Sequence, residues 1–331
     1  MKKGKSKILW TVAITLAVIA ALLLLAAGAV KINDLIRRNE DRSLMERFGL
    51  YHPVDGGGSD LNLISYGNAD GHTIVCLSGL AVEDMCITYR DMTDELARDN
   101  RIVFIDRAGY GMSDDSMTPM TVGNIVDSYR TALANEEIKG PVILVAHSLG
   151  GVYATYWQSH FPSEVEGLVL LDSTQLRDGI FEGDTLRNGH NMQEILLNKL
   201  GLYRIGEDRP EKSIEEGAGL EDERTRKILS YRMTLTGLWN FAMNSEYDLI
   251  RDNCAQTWNS IETNDIPKLY ICATWASETE QKYIDARNNI LMPYLQKMGN
   301  ARLALLAGEH LIYEQRPADC ARLIKELIDT I

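Results

Sequence analysis

The stretch Val142-Ile143-Leu144-Val145-Ala146-His147-Ser148-Leu149-Gly150-Gly151 constrains this chain more than any other. A short apolar run leads into it, and a segment of helical character, Val152 to Ser159, leaves it. A strand that becomes a helix within so few residues must turn sharply. The positions two before and two after the serine then have little room for a side chain, and Ala146 and Gly150 meet that demand. Such a turn lifts Ser148 Oγ above the carboxyl end of the strand, within reach of a base. Small-residue turns of this kind also arise by chance, so the rest of the chain has to supply the partners.

A serine hydroxyl is almost wholly un-ionised at neutral pH and becomes a nucleophile only beside a base. The chain has six histidines: His52, His72, His147, His160, His190 and His310. Around a strand-turn-helix serine the partners follow in the order serine, acid, histidine, which leaves His160, His190 and His310. His160 ends the helix after the turn, and His190 lies in a polar stretch. His310 follows the apolar run Leu303-Ala304-Leu305-Leu306, where the loop after a last strand can reach back over the sheet. It is the expected base. The base needs a carboxylate to fix its tautomer. Asp172 ends the run Gly167–Leu171, and Glu278 follows the run Leu269–Ala273. Asp172 is the better placed, because Glu278 requires a rearranged loop; an Asp there can also simply cap a turn. The oxyanion donors are expected to be the N–H of Leu149, after the serine, and of Leu80, in the Ser78-Gly79-Leu80 loop after the run Thr73–Leu77.

These segments together resemble the α/β-hydrolase superfamily over Leu61 to Ile331. Leu77-Ser78-Gly79 is similar to the family's His-Gly oxyanion loop, with Ser78 in place of the common His. Asp106-Arg107-Ala108-Gly109-Tyr110-Gly111-Met112-Ser113 resembles the loop after the next strand, D-x-x-G-x-G-x-S, and Gly308-Glu309-His310 completes the order. The usual later acid position holds Ala276, a departure that matches members carrying the acid after the strand that follows the elbow, where Asp172 stands. The resemblance implies acyl transfer through Ser148, with His310 as base, Asp172 as acid, and no metal or organic cofactor. A serine nucleophile speaks against epoxide-hydrolase and dehalogenase chemistry by the family's usual route. Amidase, thioesterase and acyltransferase activities use the same residues. A tethered binding protein that has lost its chemistry is the non-enzymatic alternative.

The N-terminus reads Met1-Lys2-Lys3-Gly4-Lys5-Ser6-Lys7, followed by an uncharged, largely apolar run from Ile8 to Val30. As a helix that run is about 34 Å long, enough to cross the hydrocarbon of a bilayer. It exceeds the core of a secretory signal, although Ala27-Gly28-Ala29 resembles a cleavage site. Lys31, Arg37, Arg38 and Arg42 follow the span closely, so the charge rule nearly ties; the expectation of a single-pass cell-membrane anchor with the catalytic domain outside the cytoplasm rests on the short N-tail and single first span, which behave like a signal anchor. The formal charge is −13, and the basic tail hides part of it, since the first seven residues hold four lysines. So acidic a body disfavours nucleic acid as a partner. Five cysteines, an odd number without scaffold spacing, read as buried small side chains and sit awkwardly with an oxidising compartment.

The layout expected is a basic tail at 1–7, an anchor at 8–30, a stem at 31–58 and a hydrolase domain at 59–331. Alternating strands and helices imply an α/β fold with a mainly parallel sheet. About 90 residues separate Asp172 from the next strand, long enough for a helical cap inserted at about 174–264. In it, Tyr231 to Met243 forms an apolar helical pattern, and Trp239 or Phe241 could line an acyl pocket or merely pack the cap. Arg107 and Tyr110 are further candidates to face the cleft. The expected reaction is hydrolysis of a small-molecule or lipid-like carboxylic ester.

Overall fold

The apolar runs read from the sequence become neighbouring strands of one sheet in a computed structural model, which describes residues 2–180, 192–207, 209–237, 239–274 and 281–331. The strands are β1 (Pro53–Asp55), β2 (Asp60–Gly67), β3 (Thr73–Leu77), β4 (Arg101–Ile105), β5 (Val142–His147), β6 (Val165–Leu171), β7 (Lys268–Thr274) and β8 (Ala301–Ala307), in the order β1-β2-β4-β3-β5-β6-β7-β8. From β3 onward every pairing is parallel; β2 runs antiparallel to β4, and β1 to β2. β1 has no counterpart in the sequence reading, because three residues opening on Pro53 carry too little pattern to register.

Helices cover both faces: α1 (Lys2–Arg47), α2 (Met85–Thr88), α3 (Arg90–Leu96), α4 (Val122–Asn135), α5 (Gly150–His160), α6 (Met192–Lys199), α7 (Glu223–Gly237), α8 (Phe241–Ser260), α9 (Gln281–Met298), α10 (Ile312–Gln315) and α11 (Pro317–Ile328). Strand side chains alternate between the faces. Val75, Leu77, Leu144 and Ala146 join Tyr129, Tyr153 and Trp157 in one buried cluster, while Ile74, Cys76, Ile143 and Val145 join Leu96, Leu323 and Ile324 in the other. All five cysteines are buried and free.

The insertion between β6 and β7 contains α6, α7 and α8. The apolar pattern from Tyr231 to Met243 is split between two helices. Trp239 has φ +44°, and Asn240 caps α8 by accepting the Met243 N–H at 2.8 Å, so the chain breaks where a continuous pattern was expected.

α1 runs without interruption through both the expected anchor and the charged segment beyond it. Residues 7–29 lie exposed, with a mean hydropathy of 2.8 in the most apolar window, so by length and composition this helix could cross a membrane. Contact with the body begins at Val30 and becomes burial at Asp34, Asp41, Leu44 and Met45. There α1 packs on α7 and on a short turn at Leu202–Arg204. Asp41 pairs with Arg232 (2.7 Å to Nε) and Arg204 (2.6 Å), and Asp34 with Arg38 (3.0 Å), all in or against the cap.

Candidate active site

Six consecutive positions are buried along β5, and the chain then reverses at Ser148 with φ +51°, a left-handed conformation that serine seldom adopts. Strain of this kind persists only where surrounding bonds enforce it. Here the Ser148 carbonyl accepts the Thr174 N–H at 3.0 Å and the Ser173 hydroxyl at 2.9 Å, while its N–H donates to the Leu171 carbonyl at 3.3 Å. The end of β6 therefore clamps the turn. Gly150 has no alternative, because a Cβ there would lie 2.6 Å from the Ser78 carbonyl oxygen.

His310 Nε2 stands 3.0 Å from Ser148 Oγ, and His310 Nδ1 stands 2.8 Å from Asp172 Oδ2. The carboxylate can only accept, so Nδ1 carries the proton and Nε2 turns its lone pair toward the serine hydroxyl. Asp172, itself at φ +37°, is fixed by the Ala273 N–H, which donates to Oδ1 at 3.0 Å. The structure thus brings together Ser148, His310 and Asp172, three residues from the ends of β5, β6 and β8. Glu278 and His190 lie outside the described residues. His160 stacks on Tyr156 at 3.7 Å, away from this group.

The loop after β3 comes against the turn at Gly79. A Cβ there would lie 2.9 Å from Ser148 Cβ and 2.8 Å from His147 Nδ1. Arg107 holds the loop from below: Nη2 donates to the Gly79 carbonyl at 2.8 Å, and Nη1 to the Ser78 carbonyl at 3.0 Å. In a trans peptide the C=O and the following N–H point opposite ways, so binding the Gly79 carbonyl turns the Leu80 N–H away from Arg107. Among the described residues neither the Leu80 nor the Leu149 N–H is taken by a protein acceptor. No three His, Cys, Asp or Glu side chains converge as a metal site would need, again among the described residues.

A family model described as "Alpha/beta hydrolase family" matches residues 74–323, three quarters of the chain and all of the strands that carry these groups. The chain belongs to the α/β-hydrolase family. Among relatives, the uncharacterized protein YbdG of Bacillus subtilis (strain 168) is 24% identical over 335 residues, covering 97% of this chain and 98% of its own. Among solved structures, the enol-lactonase from Burkholderia xenovorans LB400 is similar with a TM-score of 0.58 at 15% identity, over 83% of this chain and 98% of that one. The epoxide hydrolase VrEH1 from Vigna radiata has a TM-score of 0.59 at 17% identity, over 85% and 98%. Identities this low speak for the α/β-hydrolase fold alone.

Two features of this hydrolase differ from, or go beyond, what the sequence suggests. Arg107 and Tyr110 are fully buried and do not face the cleft; Arg107 is 2.7 Å from Glu246 of α8 in the cap, and the Tyr110 and Tyr153 hydroxyls donate to the same carboxylate. Burial opposes the Arg107 charge, but Glu246 and the neighbouring tyrosines outweigh it and hold its pKa above the ordinary value. The loop after β3 is thereby tied to α8 through one guanidinium. Sequence offers no signal for a pair 139 positions apart. The second feature is His147, whose ring lies 4.5 Å from that of His310 and whose Nε2 is 2.9 Å from the His310 carbonyl. Since a carbonyl can only accept, Nε2 carries the proton. Burial, then the charge that His310 takes up on protonation, pushes the His147 pKa down to about 4. His147 is therefore a neutral prop for the His310 backbone. Of the two cap aromatics expected near the cleft, Phe241 has Lys199 5.3 Å over its ring, and the Trp239 carbonyl accepts from Asn198.

Proposed function

We propose that this chain is a membrane-anchored serine hydrolase that cleaves a carboxylic ester through an acyl-enzyme. The reading rests above all on the unbroken line of hydrogen-bonding groups from Ser148 through His310 to Asp172, at 3.0 and 2.8 Å. Ser148 Oγ attacks the ester carbonyl carbon and gives its proton to His310 Nε2, while Asp172 stabilises the imidazolium. The carbonyl oxygen takes up negative charge beside the N–H groups of Leu149 and Leu80, the first at the start of α5 where the helix dipole adds to its pull. His310 returns the proton to the leaving alcohol as the C–O bond breaks. Water, deprotonated by the same His310, then attacks the acyl carbon, and the acid leaves as Ser148 regains its proton. Lactones are cyclic esters and pass through the same steps, which makes the likeness to an enol-lactonase chemically consistent with this reading. Asp172 is taken as the acid over Glu278 because it already holds His310 Nδ1.

Residues 8–30 are read as the anchor, with the catalytic body outside the cytoplasm and the cap spanning about 174–264. The test is hydrolysis of p-nitrophenyl acetate, butyrate and decanoate by the full chain in detergent, beside Ser148→Ala and Asp172→Asn. Ser148→Ala is expected to lower kcat by about 10⁴-fold or more, and Asp172→Asn by about 10³–10⁴-fold. Turnover that survives Ser148→Ala in folded protein rejects the assignment.

A further inference from the structure

α6 turns its greasy side outward. Ile195 and Asn198 are buried against the body, whereas Met192, Leu196 and Leu200, spaced four apart on one stripe, are 54%, 58% and 40% exposed. Ile205, just beyond, is 58% exposed. A surface helix of a water-soluble domain has the opposite arrangement. The adjoining turn of α1 repeats it: Ile32, Leu35 and Ile36 are all more than half exposed, and Asp34 between them is fully buried against the cap. The two patches belong to one corner of the molecule. Arg38 of α1 donates to Asn198 of α6 at 2.6 Å, Arg204 reaches both Asp34 and Asp41, and a Cβ at Gly201 would collide with Asp34.

This corner lies where the apolar run of α1 ends. Val30 is the last residue of that run and the first to touch the body, so no spacer separates the cap from the level at which a bilayer would stop. A cleft of about 220 Å³ beside it is lined by Lys31, Arg38, Arg42 and Lys199 as well as Asp114 and Asp115. Each of these cations pairs with Asp34, Asp114 or Asp115, and such a ring of paired charge just past an apolar span, next to exposed Leu and Ile, suits the boundary between headgroups and acyl chains.

We propose that the cap rests in the membrane interface, with the Met192–Leu200 stripe and Ile205 inserted among the lipids beside Ile32, Leu35 and Ile36. The occupant of this patch is the lipid surface that residues 8–30 enter, and the proposal rests on that reading of the span. The test uses the full chain in phosphatidylcholine–phosphatidylglycerol nanodiscs. Single cysteines at Ile19→Cys, Leu196→Cys, Leu200→Cys and Asp70→Cys are labelled with an environment-sensitive nitrobenzoxadiazole dye; the native cysteines are buried and stay unlabelled in folded protein. Lipids bearing doxyl quenchers near the headgroup or deep in the chain report depth. The expected result is deep quenching at Ile19, shallow quenching with a blue shift at Leu196 and Leu200, and neither at Asp70, which lies on an exposed loop before β3, at the end of the sheet opposite the Ser148 turn. Quenching at Ile19 without quenching at Leu196 or Leu200 overturns the proposal and leaves the anchor standing. A blue shift at Leu196 that doxyl lipids do not quench means that protein, such as a second copy, covers the stripe, and also overturns it. No quenching at Ile19 removes the anchor and the proposal together.

Discussion

Gly79 occupies a space that no side chain can share, with Ser148 Cβ and His147 Nδ1 each under 3 Å from where its Cβ would be. Gly79→Ala must push the loop off the turn, and an oxyanion donor displaced by a fraction of an ångström loses most of its effect. The expected outcome is a fall in kcat of about 10²-fold with KM little changed, measured on p-nitrophenyl butyrate. Arg107→Lys tests the same loop from beneath. Lysine keeps the charge but cannot hold two carbonyls and Glu246 together, so kcat should fall about 10- to 100-fold while KM moves less. Glu83 offers a pH signature. Burial pushes its pKa up to about 8, against a lowering contribution from the Gly111 N–H, which donates to it at 2.6 Å. Between pH 4.5 and 8 the folded protein then holds a proton that the unfolded chain has released. Stability from this group is fully present below 4.5 and declines as pH rises toward 8. The drop in Tm between pH 5 and pH 8.5 should be smaller in Glu83→Gln than in the unaltered protein; equal drops would show that Glu83 is already ionised in the fold.

The elements carry the residues to these positions, and they differ in how far the sequence announces them. β3 to β7 were legible because a strand buried on both faces must be a near-continuous apolar run, and short runs such as Val142–Val145 have few other uses; β8, partly exposed at the sheet edge, was legible through Leu303–Leu306. The turn at Ser148 was legible through its small residues. The choice of Asp172 over Glu278 was legible in part, since Asp172 directly follows its buried run while Glu278 stands several residues past its own and lies outside the described residues. Arg107 was singled out but expected in the cleft, and the roles of Glu246 and His147 were not legible, because nothing local to a buried polar residue names the partner that makes burial tolerable. The same holds for the junction of α1 with the cap, where Asp41 meets Arg204 and Arg232 across more than 160 positions of chain. Removing Asp41 takes a buried carboxylate away from two buried guanidiniums, and leaves Asp34 and Glu207 to share their charge. Asp41→Ala is expected to cost about 3–5 kcal/mol, read as a lower Tm in detergent. Asp94→Ala, which removes a half-exposed i,i+4 pair with Arg90, should cost well under 1 kcal/mol.

On the scale of the whole molecule α1 belongs to two environments at once. Its residues 7–29 lie exposed, and its last part supplies Leu44 and Met45 to the core. Shortening the chain should therefore show a sharp divide. A protein beginning at residue 31 keeps every buried residue of α1 and should melt cooperatively near the full chain. One beginning at residue 48 loses Asp34, Asp41, Leu44 and Met45, and should melt many degrees lower or fail to fold; differential scanning fluorimetry of the two checks this. The helix passes from the exposed run to the docked segment with no proline, glycine pair or kink-forming break after Gly28. In the anchored reading, the body cannot swing out on a tether to sample the surrounding solution. Its encounters become two-dimensional, set by lateral diffusion and by the number of substrate molecules per unit area of leaflet. Diluting an ester into more bilayer at constant bulk concentration would then slow the reaction.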